Sequence, residues 1–245
     1  MKGSKLVRYS RRSPNYSSRN ENKITKLTPH HMAGQLSLKS LGNLFAKRST
    51  GSSSHYGISN DGVIGQYVDE RYRPWTSSSY SNDSQAITCE IANSTFSPTW
   101  KVSKYALEAY IVLAVDIAQR YNFKNCNYTG KASGTLTKHK MFASTSCPGA
   151  YLDRKMEYIE KEVESRIKSR KYRVQVGSFR SVKNAMARKD NLEKQGFACT
   201  IIPYGSKFGI RAREFNNESL AKEHRDKIKQ VTGLKAYVIK QKRGG

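Results

Sequence analysis

His139 and Cys147 are good zinc ligands, and one of the neighbouring histidines His30 and His31 could supply a third. His139 and Cys147 lie eight positions apart, and His30 lies far upstream of both. Three ligands drawn from His and Cys, with a fourth position left for water, are typical of a catalytic zinc site rather than a structural one. These residues therefore predict a Zn2+ hydrolase. A surface histidine and an unrelated buried cysteine are the alternative interpretation of this spacing.

A lone carboxylate, Glu90, lies between Cys89 and Ile91 in an otherwise apolar run. Burying a charged carboxylate is costly unless the group is paired or has a function. Glu90 is therefore a second candidate for the chemistry. An ion pair with one of the many Lys or Arg side chains is the alternative.

Hydrophobic periodicity and turn residues predict the elements that must position these side chains. The strand that carries His30 and the strand that carries Glu90 are separated by a hairpin with Asn60-Asp61-Gly62 at its turn. A helix capped by Ser37 and a longer helix capped by Ser103 accompany them. The predicted strands cover residues 24–31, 55–58, 63–68 and 86–92, and the predicted helices residues 38–45 and 103–121.

The composition changes along the chain and predicts its division into parts. Residues 1–22 are rich in Ser, Asn and Arg and show little periodicity, which indicates a mostly irregular basic arm. Residues 23–151 carry the candidate site. The apolar periodicity of residues 152–170 predicts a charged amphipathic linker helix. Residues 171–245 then show the order βαββαβ, which is typical of a small α+β ferredoxin-like sandwich.

The net charge is +25, from 44 Lys and Arg against 19 Asp and Glu. Such a chain is expected to bind a polyanion, either nucleic acid or an anionic cell-wall polymer. No window approaches the roughly 18 to 20 apolar residues of a membrane span. The first residues also lack the apolar core of a signal peptide, so we expect the protein to be made in a cytoplasm.

The sequence around the candidate ligands resembles zinc-dependent N-acetylmuramoyl-L-alanine amidases of the phage endolysin and peptidoglycan recognition protein superfamily. Thr-Ser-Cys-Pro-Gly at 145–149 is similar to the turn that carries the last metal ligand of this family, and His139 lies at the spacing of its second ligand. His-His-Met-Ala at 30–33 is similar to the motif of its first ligand. By its place in that motif we expect His30, and not His31, to reach the metal, since neighbouring side chains on a strand face opposite sides.

The resemblance runs from about residue 13 to residue 167 and implies an α/β fold with a mixed central sheet flanked by helices. It implies Zn2+ as cofactor, peptidoglycan as substrate, Glu90 as general base and Thr145 as a hydrogen-bond donor to the developing oxyanion. Some relatives have a tyrosine where this chain has Ser54, so Tyr56, on the same side of the strand, is a substitute. His55 and Trp75 are further candidates to line the cleft, and the alternative is a packed histidine and a tryptophan at the edge of the core.

The opening strand of the C-terminal part, which ends in Val-Gly-Ser-Phe at residue 179, resembles that of the sporulation-related repeat, a peptidoglycan-binding domain. The resemblance implies that Gln175 and Tyr204 contact sugar. An RNA-binding sheet is the alternative, because residues 171–245 hold 18 basic and 6 acidic groups, but the aromatic-rich strand motif of RNA-recognition domains is missing.

Together these features predict an endolysin that is made in the host cytoplasm without a signal peptide and acts on the cell wall after release. It would cut the amide between N-acetylmuramic acid and L-alanine, with anionic wall polymers as further partners and no nucleic acid. A catalytically silent peptidoglycan-binding protein is one alternative. A basic nucleic-acid-binding protein is another, and it leaves the His and Cys spacing unexplained.

Overall fold

Two domains follow one another in the computed structural model, which describes residues 1–167 and 172–240. The N-terminal domain has a five-stranded mixed sheet in the order β1-β5-β4-β7-β3, and β2 pairs with β6 in a separate two-stranded ladder. Strands β3, β7 and β4 are parallel, while β4 and β5 form the predicted antiparallel hairpin. The strands are β1 (Tyr9–Ser10), β2 (Tyr16–Ser18), β3 (Lys26–His31), β4 (Tyr56–Ile58), β5 (Ile64–Gln66), β6 (Tyr72–Pro74) and β7 (Ala86–Ile91).

Helices cover both faces of this sheet. They are α1 (Leu38–Phe45), α2 (Tyr80–Asp83), α3 (Lys104–Arg120), α4 (Gly149–Asp153) and α5 (Met156–Ile167). The long helix α3 is buried along most of its length and packs with the apolar side chains of the sheet. On the opposite face, Leu41 of α1 and Tyr67 lie directly over Gly57 of β4. The expected mixed α/β architecture is confirmed.

The N-terminal segment is mostly irregular, as predicted, with only Tyr9–Ser10 and Tyr16–Ser18 in strands, but residues 1–22 pack against the domain instead of forming a separate arm. Strand β1 pairs in parallel with β5 at the edge of the sheet. Arg19 is buried and donates hydrogen bonds to the carbonyl oxygens of Ser84 (2.7 Å) and Ala86 (2.9 Å). Asn15 is also buried and donates to the carbonyl of Lys47 at 2.9 Å. Polar side chains rather than an apolar stripe hold the segment, so hydrophobic periodicity could not reveal it.

The linker helix also differs from its predicted bounds of 152–170. The chain forms the short helix α4, which ends at Asp153, and then α5, which begins at Met156 and ends at Ile167. Residues 168–170 of the predicted helix lie outside the described ranges. Helix α5 packs against α3 through Ile159 and Val163, so it belongs to the N-terminal domain rather than spanning a gap between domains.

The C-terminal domain has the predicted βαββαβ order. Its four antiparallel strands are arranged β11-β8-β10-β9, which is the ferredoxin-like topology. Its elements are β8 (Tyr172–Phe179), α6 (Val182–Lys194), β9 (Thr200–Tyr204), β10 (Lys207–Phe215), α7 (Glu218–Thr232) and β11 (Tyr237–Lys240). None of the helices in the described ranges is both long enough and apolar enough to cross a membrane.

The two domains pack directly against each other around Arg166 at the end of α5. Its side chain is 2% exposed and donates to the carbonyl oxygen of Ile201, on edge strand β9, at 2.9 Å. The same guanidinium pairs with Glu108 of α3 at 2.5 Å and with Glu162. The apolar cores of both domains form one continuous cluster across this contact. The C-terminal domain is therefore docked on the N-terminal domain and not merely tethered to it.

Candidate metal centre

His30, His139 and Cys147 converge at the carboxyl end of β3. Their ligand atoms all lie within 4.8 Å of one another, and His30 Nδ1 is 3.3 Å from Cys147 Sγ. A tetrahedral zinc ion places nitrogen and sulfur ligands about 3.4 to 3.6 Å apart. His139 Nε2 is buried and has no hydrogen-bond partner in the described ranges of the chain. Two imidazoles and one thiol, with one imidazole nitrogen left unsatisfied, are a donor set that fits a zinc ion.

A buried polar network orients His30 from behind. Ser77 Oγ lies 3.3 Å from His30 Nε2 and can accept a hydrogen bond from the Nε2–H group. The unprotonated Nδ1 then faces Cys147. Asn82 Nδ2 donates to Ser77 Oγ at 3.2 Å and to Thr28 Oγ1 at 3.1 Å. Partners of this kind hold a metal-binding histidine in one tautomer and one orientation.

The same network reaches the second histidine. Thr137 donates to Asn82 Oδ1 at 3.0 Å and lies 2.9 Å from Thr28 Oγ1. Thr28 precedes His30 by two residues, and Thr137 precedes His139 by two. Sequence reasoning missed Ser77, Asn82 and both threonines. The one available signal was that Thr28 and His30 share a strand face at a spacing of two.

His139 and Cys147 are brought together by the loop that connects them. Lys140 N donates to the carbonyl oxygen of Cys147 at 3.2 Å, which closes the loop. The side chains of Lys138 and Lys140 both pair with Asp153 on α4, and Cys147 lies just before this helix. The loop is thus fastened to the domain at its two ends.

His31 lies on the other side of β3 and does not approach the other two donors. Its ring packs edge-on against Trp100, with ring centroids 5.1 Å apart. Gly149 approaches it closely, because a Cβ added to this residue would lie 2.9 Å from His31 Nδ1. Gly149 also has a φ of +80°, a conformation that L side chains rarely adopt. The structure places His30, as expected from the motif, in the site and His31 behind it.

Glu90 is the register partner of His30 in the parallel β3–β7 pair, so the two side chains share a face of the sheet. Its Oε2 is buried without a hydrogen-bond partner, and burial raises the pKa of this carboxyl to about 8. No Lys or Arg neutralises it within the described residues, so the alternative of an ordinary ion pair is not what the structure shows.

The electrostatics of the site favour neutral donors. Burial lowers the pKa of His30 well below its ordinary value and also lowers that of His139, so both imidazoles stay unprotonated at neutral pH. Burial, together with the charge of Glu90, raises the pKa of the Cys147 thiol. A divalent cation would reverse this last effect, since metal binding requires and stabilises the thiolate.

Thr145 lies beside Cys147, and Trp75 lies in the segment that leads to Ser77. Thr145 Oγ1 accepts a hydrogen bond from Cys147 N at 3.2 Å, and its hydroxyl proton remains available to donate. Trp75 is half-buried, two residues before Ser77, and the guanidinium of Arg48 lies 5.2 Å from its ring centroid. The oxyanion role of Thr145 and the substrate contact of Trp75 stay predictions.

His55 and Tyr56 do not line a cleft, because both are 0% exposed. His55 Nδ1 accepts a hydrogen bond from Thr88 N at 3.0 Å, and its Nε2 lies 2.6 Å from the guanidinium of Arg19. Tyr56 donates to the buried carboxylate of Glu70 at 2.7 Å. The expected substrate contacts of these two residues are therefore wrong for this structure. A polar residue type does not reveal that its partners are internal.

In the C-terminal domain the structure brings Gln175 and Tyr204 together. Both side chains lie over Gly209, where an added Cβ would be 2.9 Å from Gln175 Nε2 and from Tyr204 Cβ. Among the described residues Gln175 Oε1 has no partner although the residue is 4% exposed, and Tyr204 is 41% exposed. The guanidinium of Arg173 lies 5.6 Å from the Tyr204 ring centroid. Arg173 was not singled out from the sequence.

Two known protein families match the chain. The N-acetylmuramoyl-L-alanine amidase family matches residues 20–150, slightly more than half of the chain. The chain belongs to this amidase family. The SPOR domain family matches residues 168–240 of the same chain. Both expected resemblances are thereby confirmed, and the two domains are called the amidase domain and the SPOR domain below. No curated protein matches the chain.

Several solved structures are similar to the amidase domain. A selenomethionine derivative of AmpD superimposes with a TM-score of 0.50 at 18% identity, over 65% of this chain and 99% of AmpD. The amidase LysC from Clostridium intestinale gives 0.47 at 17% identity, over 62% of this chain and 93% of its own. The hydrolase AmiA of Staphylococcus aureus gives 0.49 at 15% identity, over 64% and 84%. The likeness to AmpD supports the shared fold.

Proposed function

We propose that the amidase domain is a zinc-dependent hydrolase that cuts the amide between N-acetylmuramic acid and L-alanine of peptidoglycan. The observation that carries the proposal is the convergence of His30, His139 and Cys147 within 4.8 Å, with Glu90 beside His30 on the same face of the sheet. Membership of the amidase family supplies the substrate class.

His30, His139 and Cys147 would hold the ion, and a bound Zn2+ supplies a more acidic water and polarises the substrate carbonyl. Glu90 accepts the proton of the attacking water and delivers it to the leaving nitrogen of L-alanine. Burial alone raises the pKa of this carboxyl to about 8, whereas a cation in the site would favour the ionised form that accepts the proton. The Thr145 hydroxyl donates to the developing oxyanion.

The SPOR domain would bind the glycan of the same polymer. The half-exposed ring of Tyr204 offers a flat apolar surface for a sugar ring, and the unpartnered Oε1 of Gln175 can accept from a sugar hydroxyl. Arg173, which lies against that ring, is added to the expected contacts. Tyr204→Ala should weaken binding of the full chain to purified walls and leave turnover of soluble muropeptides unchanged.

As an endolysin, the protein would be made in the host cytoplasm and reach the wall after release. This part of the proposal concerns where the protein is made and when it acts, rather than which bond it cuts. Expression inside bacteria should cause lysis only after the membrane is permeabilised, and the Cys147→Ala variant should not lyse cells under either condition. Lysis without permeabilisation would contradict this part.

The reaction is tested by digesting purified peptidoglycan and identifying the products by mass spectrometry. We expect new N-terminal alanine, which is lost on chelation, restored by Zn2+ and missing in Cys147→Ala. Cys199→Ala is the matched control, since it removes another buried cysteine far from the site. New reducing ends would indicate a glycosidase, and wall binding without any product would indicate a catalytically silent protein. Full activity of Cys147→Ala would refute the metal site.

A further inference from the structure

A large cavity lies at the amino-terminal end of β3, and the metal centre lies at the carboxyl end of the same strand. It has a volume of about 1020 Å3 and is lined by residues 18–25, by residues 120–125, and by Lys2, Glu70, Arg71 and Thr135. Thr25 lies just before β3, and His30 lies near its other end. At about 3.3 Å per residue, the strand separates the cavity from the metal site by roughly 16 Å. The cavity is thus distinct from the catalytic cleft.

The walls of this cavity are basic. Six Lys or Arg residues line it against two glutamates, Glu21 and Glu70. The Glu70 carboxylate is fully engaged by Arg120, Tyr56 and Tyr121 and offers no free charge to a ligand. Its partner Arg120 is likewise engaged.

Three lysines of the cavity have no ion-pair partner among the described residues. Within residues 1–167 and 172–240, no carboxylate pairs with the ammonium groups of Lys2, Lys23 or Lys124. All three side chains are exposed at the rim. Uncompensated ammonium groups around a concave surface raise the local concentration of anions.

The rim of the cavity has a defined shape. Asn20, Glu21 and Asn122 have φ values of 47°, 64° and 53°, and they are three of the six non-glycine residues with positive φ in the described ranges. Asn22 Nδ2 donates to the carbonyl of Arg19 at 2.9 Å and so closes the turn. Asparagine adopts this conformation readily and Asn122 directly follows the C-cap of α3, so these residues form ordinary turns that set the shape of the rim.

We propose that this cavity is a second, non-catalytic site that binds a phosphate ester. Ammonium groups bind phosphate as point charges, the Asn20 and Asn125 amides can bond to hydroxyls, and the half-buried Phe123 offers an apolar wall for carbon atoms. A polyol phosphate chain, as found in anionic cell-wall polymers, combines these three properties. The choice of a wall polymer as source rests on the proposed function, whereas the anion site does not.

Lys2, Ser18 and Arg19 lie outside the 20–150 match to the amidase family but line the cavity. The N-terminal segment, held by Arg19 and β1, therefore completes a site that the matched region alone does not form. Binding here would keep the amidase on walls that carry the polymer, in addition to the contacts of the SPOR domain.

The test is to measure the affinity of the full chain for short synthetic poly(glycerol phosphate) at low salt. Inorganic phosphate and an RNA of equal charge are measured as comparison ligands. Lys23→Gln/Lys124→Gln removes two rim charges. Lys183→Gln/Lys194→Gln removes two exposed charges from α6 and is the matched control. One exposed ion pair contributes up to about fivefold in affinity, so we expect the rim variant to lose several-fold and up to about 25-fold, and the control less than about twofold.

Equal losses in the two variants, or no loss in either, would overturn the site. If the rim variant lost RNA affinity as strongly as polymer affinity, the wall-polymer assignment would be wrong. Rim-dependent binding of inorganic phosphate that is as tight as that of the polymer would assign the site to a small phosphate ester instead. Turnover of phosphate-free peptidoglycan should be the same in all variants, so a failure of the proposed amidase function would appear separately.

Discussion

The raised pKa of Glu90 makes the metal-free protein less stable as the pH rises, and Glu90→Gln should remove this effect. The Glu90 carboxyl has a pKa of about 8 in the folded chain, against an ordinary value of 4.5. Between these values the folded state binds a proton that the unfolded state has lost. The free energy of unfolding therefore decreases from about pH 4.5 upward and levels off above about pH 8.

The size of this effect follows from the same two values. At about 1.4 kcal/mol per pH unit, the rise from 4.5 to about 8 corresponds to at most about 5 kcal/mol. The side chain is not completely buried, so water in the cleft reduces this figure. Gln has the shape of the protonated carboxyl but cannot ionise. The variant should thus match the wild type near pH 4.5 and exceed its stability by several kcal/mol at pH 8.

The assay is urea unfolding of chelator-treated protein at intervals from pH 4.5 to 9. Taking the difference between the wild type and Glu90→Gln at each pH cancels the contributions of the buried histidines, which are the same in both proteins. Glu157→Gln, at an exposed position of α5, controls for the loss of one carboxylate. Zn2+ should reduce the difference, because a nearby cation favours the ionised carboxylate. Parallel stability curves for the two proteins would refute the reasoning.

Two further predictions concern packing. Gly149→Ala should destabilise the fold by about 1 to 3 kcal/mol in thermal unfolding, since φ is +80° and the new Cβ would lie 2.9 Å from His31 Nδ1; an unchanged melting temperature would contradict this close approach. Arg166→Met should cost about 3 to 5 kcal/mol, because Glu108 is left nearly buried without its partner. Adding Glu108→Leu should recover much of this loss, and a double variant as unstable as the single one would argue against the pairing.

Most elements of both domains, and the residues of the metal centre, could be predicted from local sequence. Ser37 caps α1 and Ser103 caps α3 as expected, because a cap is a contact between residues three positions apart. The hairpin around Asp61-Gly62 follows from its turn residues. His139 and Cys147 stood out by residue type and spacing, and the resemblance to the amidase family selected them and His30 as the ligand set. Whether they bind zinc stays a prediction.

What only the tertiary structure decided depends on contacts between distant residues. His55 and Tyr56 are internal because Arg19 and Glu70, remote in sequence, supply their hydrogen bonds. The ordered N-terminal segment has the same cause, since buried polar anchors leave no periodic pattern. Asn82 connects the strand of His30 to the loop of His139 across more than fifty residues. Residue types and short spacings thus determined which chemistry the chain can perform, and long-range hydrogen bonds determined which of those residues meet.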